Sequence, residues 1–153
     1  MKPQITIFTD GACRGNPGDG GWGALLISGI NEKSIFGGER NTTNNRMELL
    51  SVIVCLEMLK QEGCQVTVYS DSKYVVDAVE KKWIEGWVKR SWKNVKNPDL
   101  WKRYLEVARR HSVRFKWIKG HNGHPMNERC DFLAVEASIG KHLLIDTWYE
   151  ANK

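Results

Sequence analysis

The stretch that decides the fold is Gln4-Ile5-Thr6-Ile7-Phe8-Thr9-Asp10-Gly11, close to the N-terminus. Apolar and polar side chains alternate along its first half in the manner of a β-strand, and Phe8 adds one further apolar residue. The alternation stops at Asp10-Gly11, a pair that is typical of turns. The sequence therefore predicts a strand over residues 4–9 that ends at a carboxylate.

The segments that follow predict a mixture of strands and helices. A glycine-rich stretch, 11–23, is expected to begin as a tight turn, and cap residues at 43–45 predict a helix to about Gln61. A further helix, 99–111, is expected to be capped by Asp99. The other expected elements are a hairpin over 21–38, strands over 65–70 and 113–118, and helices over 72–82 and from about Asn127. This order predicts one α/β domain, residues 1–153, with a mixed sheet flanked by helices.

Composition places the chain among ordinary globular proteins. Its 153 residues are 41% hydrophobic and 27% charged, and no run approaches the roughly 20 apolar residues of a membrane helix. The start of the chain has no signal-peptide pattern, so we expect a cytoplasmic protein without a membrane association. Four scattered cysteines without a CxxC pair argue against a zinc site or a disulfide framework.

Charge is distributed unevenly along the chain. Residues 81–119 contain thirteen Lys/Arg against three acidic residues, although the whole chain has a net charge of only +5. A basic segment on an otherwise acidic body favours contact with a polyanion, most often nucleic acid. A solvated helix face would explain the same pattern, and the pattern alone does not separate the two.

Two acidic residues, Asp10 and Asp71, follow predicted strands directly. Ligand sites in open α/β sheets form at strand ends, although either residue alone would more often be a turn or a cap. Glu48 is more informative, because its helix face continues through apolar positions and should point inward. Asp131 repeats this pattern in the last helix. The two faces continue through Val52, Cys55 and Leu59, and through Ala134, Val135 and Ser138.

An inward carboxylate is costly unless a cation or several hydrogen-bond donors compensate it. No lysine or arginine lies on either helix face. All four acids are explained together if they converge on hard cations, and oxygen ligands favour Mg²⁺, with Mn²⁺ able to substitute. Two such ions can activate a water and stabilise the leaving oxygen of a phosphodiester. The spacing of the four acids along the sequence does not by itself decide whether they converge on one site.

Four motifs, in order along nearly the whole chain, closely resemble those of type 1 ribonucleases H. They are Thr9-Asp10-Gly11-Ala12-Cys13-Arg14-Gly15-Asn16-Pro17-Gly18, Thr42-Thr43-Asn44-Asn45-Arg46-Met47-Glu48-Leu49, Ser70-Asp71-Ser72-Lys73-Tyr74-Val75, and Lys119-Gly120-His121-Asn122-Gly123-His124-Pro125 with Asn127-Glu128-Arg129-Cys130-Asp131.

The resemblance implies the ribonuclease H-like fold, with a five-stranded mixed sheet. It implies an endoribonuclease, a hydrolase that cuts the RNA strand of RNA–DNA hybrids by two-metal-ion catalysis and leaves 5′-phosphate and 3′-hydroxyl ends. On this resemblance Asp10, Glu48, Asp71 and Asp131 are the metal ligands, and His121 is a catalytic histidine of a mobile loop. His124, followed by proline, is expected to shape that loop.

The resemblance also implies substrate-binding residues. The Cys13 region, Asn16, Asn44 and Asn45 match positions that contact the minor groove and the 2′-hydroxyls of RNA. Thr43 and Asn97 match a pair that grips a DNA phosphate, although Asn41 stands where a cation could contribute. A basic, Trp-rich tract resembles the family's basic protrusion, and at least one of its tryptophans is expected to be structural. Its residues are Trp83, Trp87, Trp92, Lys89, Arg90, Lys93 and Lys96.

Two alternatives share part of this pattern. A related nuclease acting on DNA would keep the carboxylates, and a non-catalytic hybrid-binding module would explain the basic tract without needing four acids. Nothing in the sequence indicates an obligate protein partner, and we expect a monomer.

Overall fold

The computed structural model describes residues 2–120 and 123–152. Within them the chain forms six strands and six helices. Their bounds are β1 Gln4–Arg14, β2 Gly18–Ser28, β3 Asn31–Thr42, α1 Asn44–Glu57, β4 Gln65–Ser70, α2 Lys73–Glu80, α3 Trp83–Lys89, α4 Pro98–Ala108, β5 Ser112–Trp117, α5 Pro125–Ser138, β6 Leu144–Ile145 and α6 Thr147–Asn152. None of these helices is long and apolar enough to span a bilayer.

All the strands belong to one mixed sheet with the order β5-β4-β1-β2-β3-β6. The pairs β1–β2 and β2–β3 are antiparallel, whereas β1–β4, β4–β5 and β3–β6 are parallel. The predicted α/β architecture is confirmed, but the described sheet has six strands rather than five. The additional strand, β6, has two residues that pair with Glu39 and Arg40, which is too short for a hydrophobic period to show.

Helices cover both faces of the sheet, and β1 supplies apolar side chains to both sides. Ile7 packs with the larger core cluster, which includes Val52 of α1 and Trp101 of α4. The next residue, Phe8, packs with Leu25 and with Cys130 of α5. Successive strand side chains point to opposite faces, so the extra apolar residue noted in the sequence reflects a strand that is buried on both sides.

The glycine-rich stretch is strand rather than a long turn. β1 continues to Arg14 and β2 begins at Gly18, so the turn itself is short. A Cβ at Gly21 would lie 2.2 Å from the Ala134 carbonyl oxygen, and one at Gly23 would lie 2.6 Å from that of Cys130. The glycines are therefore required where α5 crosses β2, a close approach that only a missing side chain permits.

The start of α1 agrees with the predicted cap residues, because its N-cap is Thr43, whose hydroxyl accepts a hydrogen bond from the Arg46 N–H. Helix α1 ends at Glu57, before the predicted Gln61. Beyond it the Gly63 N–H donates to the Arg110 carbonyl at 2.8 Å, a bond to a distant part of the chain rather than to the helix.

Helix α4 is not capped by Asp99. Its N-cap is Asn97, in the left-handed region at φ 58° and without a side-chain capping bond, and Pro98 begins the helix. The Asp99 carboxylate instead accepts hydrogen bonds from Arg46 at 2.7 and 2.9 Å. The Asp99 side chain, which the sequence predicted to cap α4, therefore forms a long-range ion pair with Arg46 instead.

Candidate metal centre

Three acidic side chains meet beside β1, next to the point where β4 ends. Asp10 of β1, Glu48 of α1 and Asp71 just after β4 each have one carboxylate oxygen within 4.8 Å of the others. Asp10 and Glu48 are each only 3% exposed, and Asp71 is half-buried. The structure thus brings together three of the four acids singled out from the sequence.

The sheet and α1 fix this meeting point. β1 and β4 are parallel, and Thr9 pairs with Ser70, so Asp10, which lies within β1, is next to Asp71, which directly follows β4. The Gly11 N–H donates to Asp10 Oδ1 at 2.9 Å. A Cβ at Gly11 would lie 2.7 Å from the Glu48 backbone nitrogen, so glycine is what allows α1 to bring Glu48 next to Asp10.

The backbone around Asp71 is held by neighbouring groups. The Ser72 N–H donates to Ser70 Oγ at 3.1 Å, and the Trp117 indole N–H donates to the Asp71 carbonyl at 3.0 Å. The loop after β5 passes so close that a Cβ at Gly120 would lie 2.5 Å from Asp71 Oδ2. Backbone hydrogen bonds and the close approach of Gly120 therefore restrict the position of the Asp71 carboxylate.

Electrostatics in the cluster disfavour three negative charges. Burial, and then the charges of Asp71 and Asp131, raise the pKa of Asp10 to about 8. Burial and the charges of Asp10 and Asp71 raise the pKa of Glu48 well above its ordinary value. Among the described residues no lysine or arginine forms an ion pair with these three acids, and Glu48 Oε2 is buried without a hydrogen-bond partner. A cation would compensate all of these groups at once.

Asp131 lies beside this group rather than within it. It is half-buried on α5, and its charge contributes to the raised pKa of Asp10. The expectation that Val135 shares its buried face is wrong, because Val135 is 44% exposed. The buried stripe of α5 runs one position away, which leaves Asp131 at its edge; the stripe consists of Asn127, Cys130, Ala134 and Ser138.

Of the two histidines in the loop before α5, the structure describes His124 but not His121. The predicted catalytic histidine, His121, lies outside the described residues. His124 is the N-cap of α5, and its Nδ1 accepts a hydrogen bond from the Asn127 N–H at 3.4 Å. This contact agrees with the loop-shaping role expected for His124.

The predicted substrate-binding asparagines lie at the β1–β2 turn and the start of α1. Asn16 Oδ1 accepts a hydrogen bond from the Asn44 N–H at 3.1 Å, which ties the turn to the helix. The Cys13 thiol donates within the same region, to the carbonyl oxygens of Gly18 and Thr42. These contacts hold the β1–β2 turn beside α1, the helix that also carries Glu48.

A cavity of about 490 Å³ brings together Thr43, Asn97 and Lys96. It is also lined by Trp148, Tyr149 and Asn152 of α6, which the sequence reasoning did not identify. No motif signal pointed to α6, since these residues follow the last recognisable motif and reach the cavity only through the tertiary fold.

The tryptophans of the basic tract divide as expected. Trp87 packs edge-on against Trp101, with ring centroids 5.5 Å apart, and is structural. Trp83 is 43% exposed, and Lys89 and Arg90 are exposed at the end of α3. These exposed side chains are accessible to a ligand. The first part of the basic tract is helical, because α3 spans Trp83–Lys89.

The fold and the site together define an α/β protein in which three carboxylates from β1, α1 and the end of β4 form a group that could hold a metal ion. The RNase H family model matches residues 2–139 of the chain. Ribonuclease H of Nitratidesulfovibrio vulgaris is 53% identical over 153 residues, covering 97% of each chain. Ribonuclease HI of Caulobacter vibrioides is 53% identical over 141 residues, covering 89% of this chain and 93% of its own.

Solved structures agree with the sequence relatives. LC9-RNase H1, a type 1 RNase H with the type 2 active-site motif, has a TM-score of 0.83 at 28% identity and covers 100% of this chain and 82% of its own. LC11-RNase H1, solved with an RNA/DNA hybrid, has a TM-score of 0.61 at 26% identity and covers 87% of this chain and 95% of its own. The chain belongs to the ribonuclease H family.

Proposed function

We propose that this protein hydrolyses the RNA strand of RNA–DNA hybrids with Mg²⁺, leaving 5′-phosphate and 3′-hydroxyl ends. The observation that carries the proposal is the cluster of Asp10, Glu48 and Asp71, in which one buried carboxylate oxygen has no partner. Relatives named ribonuclease H supply the substrate class, and one structural relative was solved with an RNA/DNA hybrid.

The donor set is chemically suited to Mg²⁺ or Mn²⁺. Asp10, Glu48 and Asp71 offer only oxygen ligands, which hard divalent ions prefer, and the buried Glu48 Oε2 has no hydrogen-bond partner among the described residues. Asp131 would complete the set from α5. When bound, a pair of such ions supplies an activated water and stabilises the leaving oxygen of the phosphodiester.

The remaining residues would position the hybrid and move protons. His121 is proposed to assist proton transfer or product release. Asn16, Asn44 and Asn45 would contact the minor groove, where side chains that both donate and accept can recognise a 2′-hydroxyl. Asn16 already uses its Oδ1 to hold α1, so its amide N–H groups are the ones left for the RNA.

The exposed part of the basic tract would follow the phosphates. Trp83, Lys89 and Arg90 lie at the surface of α3, and cations there would add affinity that depends on salt but not on sequence. We further propose that residues 1–153 act as one catalytic domain, as a cytoplasmic monomer without an obligate protein partner.

The test is a cleavage assay with four labelled substrates: an RNA–DNA hybrid, single-stranded RNA, duplex RNA and duplex DNA. We expect cleavage of the RNA strand of the hybrid only, lost in EDTA and in Asp10→Asn because the metal ligand is removed. Asp77→Asn, on an ion pair with Lys81, is the matched control and should retain activity. Cleavage of duplex DNA would favour the related DNA nuclease, and binding without cleavage would favour the hybrid-binding module.

A further inference from the structure

The cavity between α1 and α6 is formed partly by residues beyond the family match. The match ends at residue 139, whereas Trp148, Tyr149 and Asn152 form one wall of this cavity of about 490 Å³. The opposite wall contains Asn16, Thr43 and Asn45, and the loop before α4 adds Val95, Lys96 and Asn97. The C-terminal helix therefore faces residues that the proposed function assigns to the substrate.

The described side chains that line the cavity include free hydrogen-bond donors and no carboxylates. Within residues 2–120 and 123–152, the indole N–H of Trp148 and the hydroxyl of Tyr149 have no hydrogen-bond partner, and Lys96 has no ion pair. No aspartate or glutamate is among the described residues that line the cavity. An oxyanion such as a phosphodiester would satisfy several of these donors together.

A buried ion-pair cluster holds α6 in place. The Asp146 carboxylate accepts hydrogen bonds from Arg46 Nε at 2.6 Å and from the Thr42 hydroxyl at 2.7 Å. It also accepts the Tyr149 N–H at 3.2 Å, which caps the first turn of α6. The Arg46 guanidinium lies under the Trp148 ring, 4.9 Å from its centroid.

The same arginine connects the other walls of the cavity. Arg46 belongs to α1, and it donates to Asn97 Oδ1 at 3.2 Å and to both oxygens of Asp99. The start of α1, the loop before α4 and α6 are thus fixed relative to one another without a ligand. A preformed site spends less binding free energy on ordering its own groups.

We infer that α6 is a nucleic-acid contact: Tyr149, Trp148 and Lys96 bind a backbone phosphate of the DNA strand of the hybrid, on the opposite side from Thr43. Lys96 supplies the cation that Asn41 does not, since the Asn41 amide donates to Glu150 at 2.7 Å. The aromatic rings of α6 offer a surface for the adjacent sugar. This inference rests on the proposed function, because it assigns a further contact to the same substrate.

The first experiment places a negative charge in the cavity. Affinity for an uncleaved hybrid is measured in EDTA for wild type, Asn152→Asp and Asn31→Asp. The control, Asn31, is exposed at the far end of β3 and receives the same chemical change. A like charge close to a phosphate should weaken binding about fivefold in Asn152→Asp, with Asn31→Asp near wild type. Equal affinities for the two variants would overturn the inference.

The second experiment identifies the phosphate. DNA-strand phosphates of the hybrid are replaced one at a time by uncharged methylphosphonates, and each hybrid is bound to wild type, Tyr149→Phe and Lys96→Gln. Tyr149→Phe keeps the ring and removes only the hydroxyl, so folding, checked by thermal denaturation, should be unaffected. At one position the methylphosphonate should weaken wild type more than either variant, because the contact is already lost.

The outcomes separate the two proposals. Additive losses at every DNA phosphate would refute the contact with α6 while leaving hybrid cleavage intact. A wild-type protein that neither binds nor cuts the hybrid would instead refute the proposed function. A matched series of methylphosphonates in the RNA strand tests the assignment to the DNA strand, and coupling found only in that series would contradict it.

Discussion

Two groups of charge are built on residues only two positions apart at the start of α1, Arg46 and Glu48, and they are compensated in opposite ways. Arg46, 2% exposed, lies between Asp99 and Asp146 and forms two-pronged hydrogen bonds with both. Glu48, 3% exposed, meets Asp10 and Asp71, and within residues 2–120 and 123–152 no lysine or arginine forms an ion pair with these acids. The first group is complete within the protein, and the second needs a bound cation to become complete.

The pKa values express the same contrast. Burial alone would lower the pKa of Arg46, but hydrogen bonds from its guanidinium to Asp99 and Asp146 raise that pKa above its ordinary value. Burial would raise the pKa of Asp146, but Arg46 and Thr42 hold it below its ordinary value. In the Glu48 group burial and charge repulsion act in the same direction. Burial therefore opposes the charged form in both groups, but only in the Arg46 group do hydrogen bonds and opposite charges offset it.

Removing the arginine should produce the largest change in stability. Arg46→Met removes the cation that pairs with the buried Asp146 and the half-buried Asp99, and we expect a loss of about 3–5 kcal/mol in the free energy of unfolding. Urea denaturation measures this loss. The control is Arg109→Met, whose ion pair with Glu106 is exposed and should contribute about 0–1 kcal/mol. Similar losses in both variants would show that the Arg46 group is not a buried network.

Removing an acid from the other group should have the opposite sign. Without metal, Asp10→Asn relieves repulsion in the cluster and should raise the free energy of unfolding by about 1–2 kcal/mol while abolishing cleavage. Mg²⁺ should then stabilise wild type, by about 2.7 kcal/mol at a hundred times its Kd, and the variant less. Denaturation in EDTA and in Mg²⁺ measures both effects. A variant that is destabilised in EDTA would contradict the repulsion argument.

The smallest expected effect concerns pH at the edge of the Arg46 group. Burial, and then the neighbouring charge of Asp146, raise the pKa of Glu39 from 4.5 to about 7. The folded state therefore holds this proton more tightly, so the resulting stability is complete below pH 4.5 and is lost as the pH rises through about 7. The contribution is on the order of 1 kcal/mol after solvent screening.

Glu39→Gln isolates that contribution. The difference in the free energy of unfolding between wild type and Glu39→Gln, followed from pH 4 to 8, should change most between pH 4.5 and 7. Taking the difference removes the parallel titration of the acid cluster. A difference that stays constant with pH would show that Glu39 does not retain its proton in the folded protein.

The sequence predicted most of the fold and most of the acid cluster. Strand alternation placed Asp71 directly after a strand, and helical spacing turned Glu48 inward, because both periods are local consequences of backbone geometry. The predicted strand end at Asp10 was wrong, because β1 continues to Arg14 through its pairing with the glycine-rich β2. Helical spacing was less informative for Asp131. The buried face of α5 passes through Cys130, so Asp131, one position later, lies at the edge of that face and is only half-buried. The helix start at Asp99 was also misplaced, because a distant arginine binds the carboxylate that would have formed the cap.

The residues of the chain alone determined which side chains would be costly to bury without a cation. Only the tertiary structure decided that Glu48, Asp10 and Asp71 meet while Asp131 stands beside them. It alone brought α6 against the start of α1, through Asp146 and Arg46, a hundred residues apart in sequence. The physical reason is that periodicity records the face a side chain takes on its own element, whereas distances between elements follow from packing.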